Sequence, residues 1–136
     1  MTEDEKHLDL LTVFHFVVAG LTALFACFPL IHVAVGFAMI FGKFDGTNPP
    51  PALFGWLFVI LGGVFVVCGW AVAVAILIAA IKLKKRVSRT YCIVVGAIEC
   101  MMMPFGTILG VFTIITLMRE PVKQLFAANP SARATE

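Results

Sequence analysis

Three long stretches with almost no charge constrain the fold of this chain more than any other feature of its sequence. Residues 10–42 and 52–81 contain no Asp, Glu, Lys or Arg, and residues 90–118 contain only Glu99. The stretches are 33, 30 and 29 residues long. A helix needs about 20 apolar residues to cross a bilayer, so each stretch is long enough to cross once. Core helices of soluble proteins are shorter and keep a polar face, which these stretches lack.

The composition excludes the other common classes of protein. Hydrophobic residues make up 61% of the chain and charged residues 13%, against about 45–50% and about 25% in soluble domains. A disordered chain would be far less hydrophobic. The sequence therefore predicts an all-α, polytopic helical membrane protein, with a single transmembrane domain over residues 1–136. Its three long transmembrane helices are expected at 10–42, 52–81 and 90–118. The first is a retained anchor, because its leader is acidic and its apolar part exceeds the core of a signal peptide.

Two prolines lie in the middle of predicted spans. Pro29 and Pro104 each remove one helical hydrogen bond, so both outer helices are expected to be kinked. The sequence around Pro104 also resembles a turn, with Gly106 following shortly after. An alternative is therefore a re-entrant hairpin formed by residues 90–118, whose turn would have to be shielded by protein. Three spans is the preferred interpretation, and the hairpin stays open.

The distribution of basic residues indicates an orientation. The loop 82–89 holds five of the ten Lys and Arg, and the positive-inside rule places such a loop in the cytoplasm. Three spans would leave six basic residues inside, whereas the hairpin would leave nine. The segment 119–136 is expected to form a short amphipathic helix on the membrane surface, followed by a tail. Pro121 suits its first turn, and Val122, Leu125 and Phe126 share one face.

Small residues mark candidate surfaces for helix packing. Because lipid supplies no hydrophobic driving force between helices, close backbone contact at small residues promotes their association. Such residues recur every seven positions (Gly55, Gly62 and Gly69), every four positions (Ala71, Ala75 and Ala79) and as a GxxxG pair (Gly106 and Gly110). They predict contacts within one chain or, as the sharper alternative, a homo-oligomer or a place in a larger membrane complex.

The ionisable residues inside the spans are the candidate functional site. Burying a charge inside a membrane costs free energy. An ionisable residue inside a predicted span, such as Glu99, is therefore a candidate functional residue. It lies ten residues after Arg89, about 15 Å along a helix, and His15 lies about 9 Å beyond Asp9. We expect His15 and Glu99 to pair, either in a proton or ion path or as a structural hydrogen bond. His32 follows Pro29 and is a weaker candidate for the same path.

The remaining sequence patterns mainly exclude classes of function. The cysteines lie in apolar stretches and form no disulfide framework, and no metal-binding, cofactor-binding, nucleic-acid-binding or catalytic motif is present. The sequence therefore predicts no enzyme, no cofactor and no metal, with the lipid bilayer as the main partner and no nucleic acid. The expected role is a non-enzymatic structural or accessory membrane component. The alternative is a small homo-oligomeric channel or transporter that uses Glu99 and His15.

Nearly the whole chain carries a family resemblance. The stretch Pro104-Phe105-Gly106-Thr107-Ile108-Leu109-Gly110-Val111-Phe112-Thr113, followed by Leu117, Arg119, Pro121, Val122 and Phe126, resembles the C-terminal signature of small bacterial membrane proteins of unknown function. The segments His7-Leu8 to His15-Phe16, Ala19-Gly20-Leu21 and Pro29-Leu30-Ile31-His32 are similar to the same group. The resemblance implies a bacterial inner-membrane protein and brings no activity with it.

Overall fold

The computed structural model describes residues 3–43, 51–102 and 105–129, and this part of the chain is all-helical, with no β-strand. The all-α class expected from the sequence is therefore confirmed. Six helices follow one another: α1 (Glu3–Ala26), α2 (Leu30–Ile40), α3 (Ala52–Lys85), α4 (Arg89–Glu99), α5 (Phe105–Met118) and α6 (Glu120–Ala127).

Helix α1 begins with an acidic turn and ends just before Pro29. Glu3, Asp4 and Glu5 form its first turn, where carboxylates stabilise the positive end of the helix dipole. After Ala26 the backbone changes to hydrogen bonds between residues three apart, and α2 begins directly after Pro29. The missing N–H of proline explains why the regular pattern stops there. The size of any bend at Pro29 stays a prediction.

In the described part of the chain, two helical stretches are long and apolar enough to cross a membrane, by length and composition. The first is the 38-residue segment Glu3–Ile40, which contains α1 and α2, and the second is α3, with 34 residues. Only 11% and 22% of their most apolar windows are buried inside the protein. Most of this apolar surface therefore needs an environment outside the protein, which is the opposite of a buried core helix.

The third predicted span is divided into two shorter helices. Helix α4 has 11 residues and α5 has 14, and both are shorter than a full crossing. They run antiparallel side by side: Arg89 at the start of α4 donates to the Leu117 carbonyl near the end of α5, at 2.7 Å. At the other end, the Gly106 Cα lies close to the Glu99 carbonyl. Pro104, the second predicted kink, lies outside the described residues.

Short α6 packs onto the protein through its apolar face. Pro121 stands in its first turn, as the sequence predicts. Val122 and Phe126 are buried in a cluster with residues of every other helix of this unit, namely Leu8, Leu11, Leu83, Cys92, Leu109 and Leu117. Leu125 packs against the same cluster. The apolar face expected to rest on a membrane surface is therefore covered by protein.

The chain forms two compact units. One consists of Met1–Gly20 and Val74–Glu136, and the other of Leu21–Ala73. Helices α1 and α3 each contribute to both. The first unit contains the start of α1, the end of α3, and α4 to α6 around the cluster just described. The second contains the end of α1, α2 and the start of α3, where glycines meet across the helices.

Candidate functional site

The candidate site lies where α1 and α4 present polar side chains to the interior of the first unit. His15 continues the buried side of α1 formed by Leu11 and Leu8, which lie one and two turns before it. Glu99 continues the buried side of α4 formed by Cys92, Val95 and Gly96. The spacings of three, four and seven residues are those of one helical face, so ordinary helix geometry turns both polar groups inward.

The structure brings His15 and Glu99 together. The Nε2 atom of His15 lies 3.3 Å from Oε2 of Glu99, and both side chains are 0% exposed. Residues 84 positions apart in sequence therefore form a fully buried pair between α1 and α4. Helix α4 has 11 residues, fewer than the span expected at 90–118, and it starts at the same end of the unit as α1.

The backbone fixes the tautomer of His15. Its Nδ1 atom lies 2.8 Å from the carbonyl oxygen of Leu11. A carbonyl only accepts hydrogen bonds, so Nδ1 carries a proton and donates. In a neutral ring, Nε2 then has a lone pair, and that lone pair faces Glu99. A carboxylate at this distance would repel that lone pair, so the contact is favourable only when one of the two groups carries a further proton.

Two charge states would make this contact favourable: a neutral Glu99 carboxylic acid facing neutral His15, or imidazolium facing carboxylate. Both would leave the pair with no net charge. A pair without that proton would carry a buried negative charge, which is strongly unfavourable in a low-dielectric interior. The pair is closed to solvent in either state.

No other described residue forms a hydrogen bond with the facing atoms of this pair. Among the described residues, none donates a hydrogen bond to either carboxyl oxygen of Glu99 or contacts Nε2 of His15 with hydrogen-bond geometry. Nearby polar side chains are satisfied locally: Thr12 donates to the Leu8 carbonyl and Thr113 to the Leu109 carbonyl. The electrostatic compensation of Glu99 thus depends on His15.

Glycines of α5 bring it close to α4 behind Glu99. A Cβ atom at Gly106 would lie 2.5 Å from the Glu99 carbonyl oxygen, and one at Gly110 would collide with the Gly96 carbonyl. Thr107 also donates to the Cys100 carbonyl, at 2.9 Å. The predicted GxxxG pair is therefore used between two helices of one chain. Its partner Gly96 was not among the predicted packing residues, although it is small and lies one turn before Cys100.

The glycines predicted on α3 also make contacts inside one chain. Gly55 faces Gly36 of α2, Gly62 faces the Pro29 carbonyl, and Gly69 faces Ala26. Gly36 is a second packing residue that the sequence did not single out. Of the predicted alanines, Ala79 is buried, Ala75 is half-buried and its carbonyl accepts from the Tyr91 hydroxyl, and Ala71 is exposed.

His32 lies in the other unit and makes a different kind of contact. Its ring stacks on Phe58 with the ring centres 6.0 Å apart. It borders a cavity of about 360 Å³ whose other walls are Pro29, Leu57, Phe58, Leu61, Gly62 and Phe65. This lining is apolar except for the imidazole. The structure therefore places His32 on an apolar groove, while the His15–Glu99 pair belongs to the first unit.

Ion pairs and a hydrogen bond connect the ends of several helices in the first unit. Arg119, just before α6, lies 2.9 Å from Asp4 at the start of α1. Arg86, just after α3, lies 3.1 Å from Glu5. Asn129 donates to the Lys85 carbonyl, at 2.8 Å. The start of α1, the end of α3 and the end of α5 therefore lie at one end of this unit.

Lys123 and Glu120 form a local pair on the surface of α6. The hydrogen bond from Lys123, together with its positive charge, lowers the pKa of the Glu120 carboxyl. Because the folded pKa is depressed, the stabilisation is present above the ordinary pKa of a glutamate and is lost as pH falls through the lowered value. Both side chains reach solvent, so this pair contributes little to stability.

The described residues contain no group of three or more His, Cys, Asp or Glu side chains that could hold a metal ion. Cys92 is buried and its thiol points to the Ala79 carbonyl, whereas Cys68 is exposed.

Comparison with known proteins adds no assignment: no protein-family model, curated protein or solved structure matches this chain. The resemblance to small bacterial inner-membrane proteins therefore stays a prediction.

Proposed function

We propose that this protein is an integral membrane protein with two spans and a re-entrant hairpin. The spans are the segment Glu3–Ile40 and α3, and the hairpin consists of α4 and α5. The supporting observation is the ion pair between Asp4 and Arg119, which puts the start of α1 and the end of α5 at one end of the first unit. A third complete span would instead carry residue 119 to the opposite side of the bilayer.

The charge distribution supports this topology. With α4 and α5 returning to their starting side, nine of the ten Lys and Arg lie on that side and only Lys43 lies on the other. The positive-inside rule then places the loop 82–89, both termini and α6 in the cytoplasm of a bacterial cell, with the protein in the inner membrane. This arrangement replaces the three-span interpretation, which left only six basic residues inside.

Single-cysteine labelling in sealed spheroplasts tests this topology. Cysteines introduced at Glu3, Lys84 and Lys123 should be protected from a membrane-impermeant maleimide, and a cysteine at Lys43 should react. Permeabilised cells provide the control, since all four sites should then react. Reaction at Lys123 in sealed cells, with protection at Glu3, would support three spans instead.

We propose that the role of the protein is structural or accessory and not enzymatic. The observation that carries this proposal is the complete burial of His15 and Glu99 between α1 and α4. A pair that is closed to solvent is suited to holding the hairpin against α1. Such a pair is expected to set one packing arrangement where apolar side chains alone would allow several.

A channel or transporter that uses Glu99 and His15 is the second candidate. The observation that favours it is the buried contact between Nε2 of His15 and Oε2 of Glu99, together with carboxyl oxygens that accept no hydrogen bond from any described residue. Proton flux into vesicles containing the purified protein separates the two candidates. A structural role predicts flux equal to that of empty vesicles at every pH. Flux that is present in the wild type and lost in the folded Glu99→Gln variant would support the proton path.

We further propose that the protein associates with copies of itself or with another membrane protein. Most of the predicted small residues are occupied within the chain, but Ala71 on α3 is exposed. A small residue at this position would let a neighbouring helix approach closely. Mass measurement of the protein in nanodiscs should find more than one copy, or a co-purifying partner.

A further inference from the structure

The cytoplasmic end of α3 carries an apolar stripe that ends in two lysines. Val74, Leu77, Ile78 and Ile81 are 39–47% exposed. Lys84 and Lys85 are exposed in the last turn of the same helix. Steps of three and four residues connect these positions, so they occupy one face of α3.

The opposite face of α3 is covered by protein. Ile76, Ala80 and Leu83 are 0%, 0% and 1% exposed, and Leu83 belongs to the core cluster of the first unit. The stripe therefore points away from the protein, toward the surroundings that the proposed membrane topology fills with lipid.

Most charges near this end are already engaged. Glu3, Asp4, Glu5 and Glu120 pair with Lys6, Arg119, Arg86 and Lys123 in turn. Lys82 is held by the Ser88 hydroxyl and by the Tyr91 ring, whose centre lies 4.7 Å from Nζ. Arg89 donates to the Leu117 carbonyl. Among the described residues, no acidic side chain pairs with Lys84 or Lys85.

We propose that this face of α3 binds an anionic phospholipid of the inner leaflet. The phosphate would contact the ammonium groups of Lys84 and Lys85, and one acyl chain would lie along the apolar stripe. Long lysine side chains at a helix end reach the headgroup level while their methylene groups remain in apolar surroundings. The negative headgroup also supplies the charge that these two lysines lack from the protein.

The proposal rests on the membrane location proposed above, and it commits to a lipid because the stripe and the lysines are continuous. A free phosphate would use only the charges. A zwitterionic lipid would present the same acyl chains but no net negative charge. The three ligands therefore give different results in one experiment.

The test measures which lipids remain bound to the full-length protein. The protein is reconstituted in phosphatidylcholine vesicles containing a minor fraction of phosphatidylglycerol, released gently, and analysed by native mass spectrometry. We expect bound phosphatidylglycerol to be enriched over its share of the bilayer. The Lys84→Gln/Lys85→Gln variant should lower this enrichment by on the order of tenfold, from the attraction expected of two lysines at a membrane surface.

Matched variants make the outcome specific. Lys84→Arg/Lys85→Arg keeps the charge and should keep the enrichment. Lys43→Gln removes a lysine between α2 and α3, away from the proposed site, and should leave the enrichment unchanged. Three results would each overturn the proposal. They are equal retention of both lipids, full retention of phosphatidylglycerol in the glutamine variant, and competition by glycerol phosphate in solution. Alkaline carbonate treatment distinguishes its failure from that of the membrane assignment, because a chain that is not an integral membrane protein would be extracted whatever lipid it prefers.

Discussion

At the scale of single residues, His15 and Glu99 form a fully buried pair of ionisable side chains. Each side chain is buried without another partner for the facing atoms, so each depends on the other. The hydrogen bond from Nδ1 to Leu11 is local to α1 and forms in any helical conformation of that segment. The contact with Glu99 is the part that requires the complete fold.

Removing one member of the pair should destabilise the protein strongly. We expect His15→Ala or Glu99→Ala to lower the free energy of unfolding by about 3–5 kcal/mol, because each leaves a buried polar partner without compensation. The measurement is reversible unfolding in mixed micelles, followed by circular dichroism.

Replacing both members with leucine tests the same argument from the other side. The His15→Leu/Glu99→Leu variant should be about as stable as the wild type, since apolar side chains of similar size often replace a buried ion pair at no cost. A double variant that is as unstable as the sum of the two alanine variants would show that the two residues do not act as a pair.

At the scale of helices, small residues decide which elements come close together. Helices α4 and α5 meet through Gly96 and Gly110, and α2 and α3 meet through Gly36 and Gly55. In both contacts the backbone carbonyl of one helix occupies the space that a side chain on the other would need. The glycine-rich stretches of this sequence therefore specify helix pairing within the chain.

Gly110→Ala should loosen the contact between α4 and α5. The added methyl group would collide with the Gly96 carbonyl and lie 2.7 Å from the Cys100 sulfur, so the helices must separate. We expect a loss of about 1–3 kcal/mol in the free energy of unfolding, as for other overpacked sites. Gly20→Ala is the control: nothing lies within 4 Å of its Cβ, so the variant should match or exceed the wild type.

Gly55→Ala tests the second unit in the same way. Its Cβ would lie 2.8 Å from the Gly36 carbonyl oxygen, and Gly63→Ala on the same helix meets nothing within 4 Å. We expect the first substitution to lower the melting temperature in detergent and the second to leave it unchanged. Equal effects at the two sites would contradict the assigned contact between α2 and α3.

At the scale of the whole molecule, the positions of the start of α1 and the end of α5 bear on the choice between three spans and a re-entrant hairpin. The sequence leaves three spans and a re-entrant hairpin open, because the stretch 90–118 is long enough for one crossing and contains turn-forming residues. The structure divides this stretch into α4 and α5, and ion pairs connect Asp4 with Arg119 and Glu5 with Arg86. These contacts place the start of α1 and the end of α5 at one end of the first unit.

Reversing charges should reveal this proximity. Asp4→Arg or Arg119→Asp alone places like charges together and should reduce stability by up to about 1 kcal/mol, because the pair is partly exposed. The double reversal should restore most of the loss at low salt, and added salt should reduce the difference between the variants. The midpoint of thermal unfolding measures all four forms, and a double variant no better than the worse single one would argue that the two residues are apart.

The sequence by itself determined the helical class, the apolar segments and the identities of the two buried ionisable residues. It did so because charge cannot be placed cheaply in an apolar environment, and that rule acts on residues one at a time. Only the tertiary structure decided where α4 ends, which glycines face each other and what covers Val122 and Phe126. Those features depend on contacts between distant segments, and the spacing of residues within one segment carries no information about which other segment will pack against it.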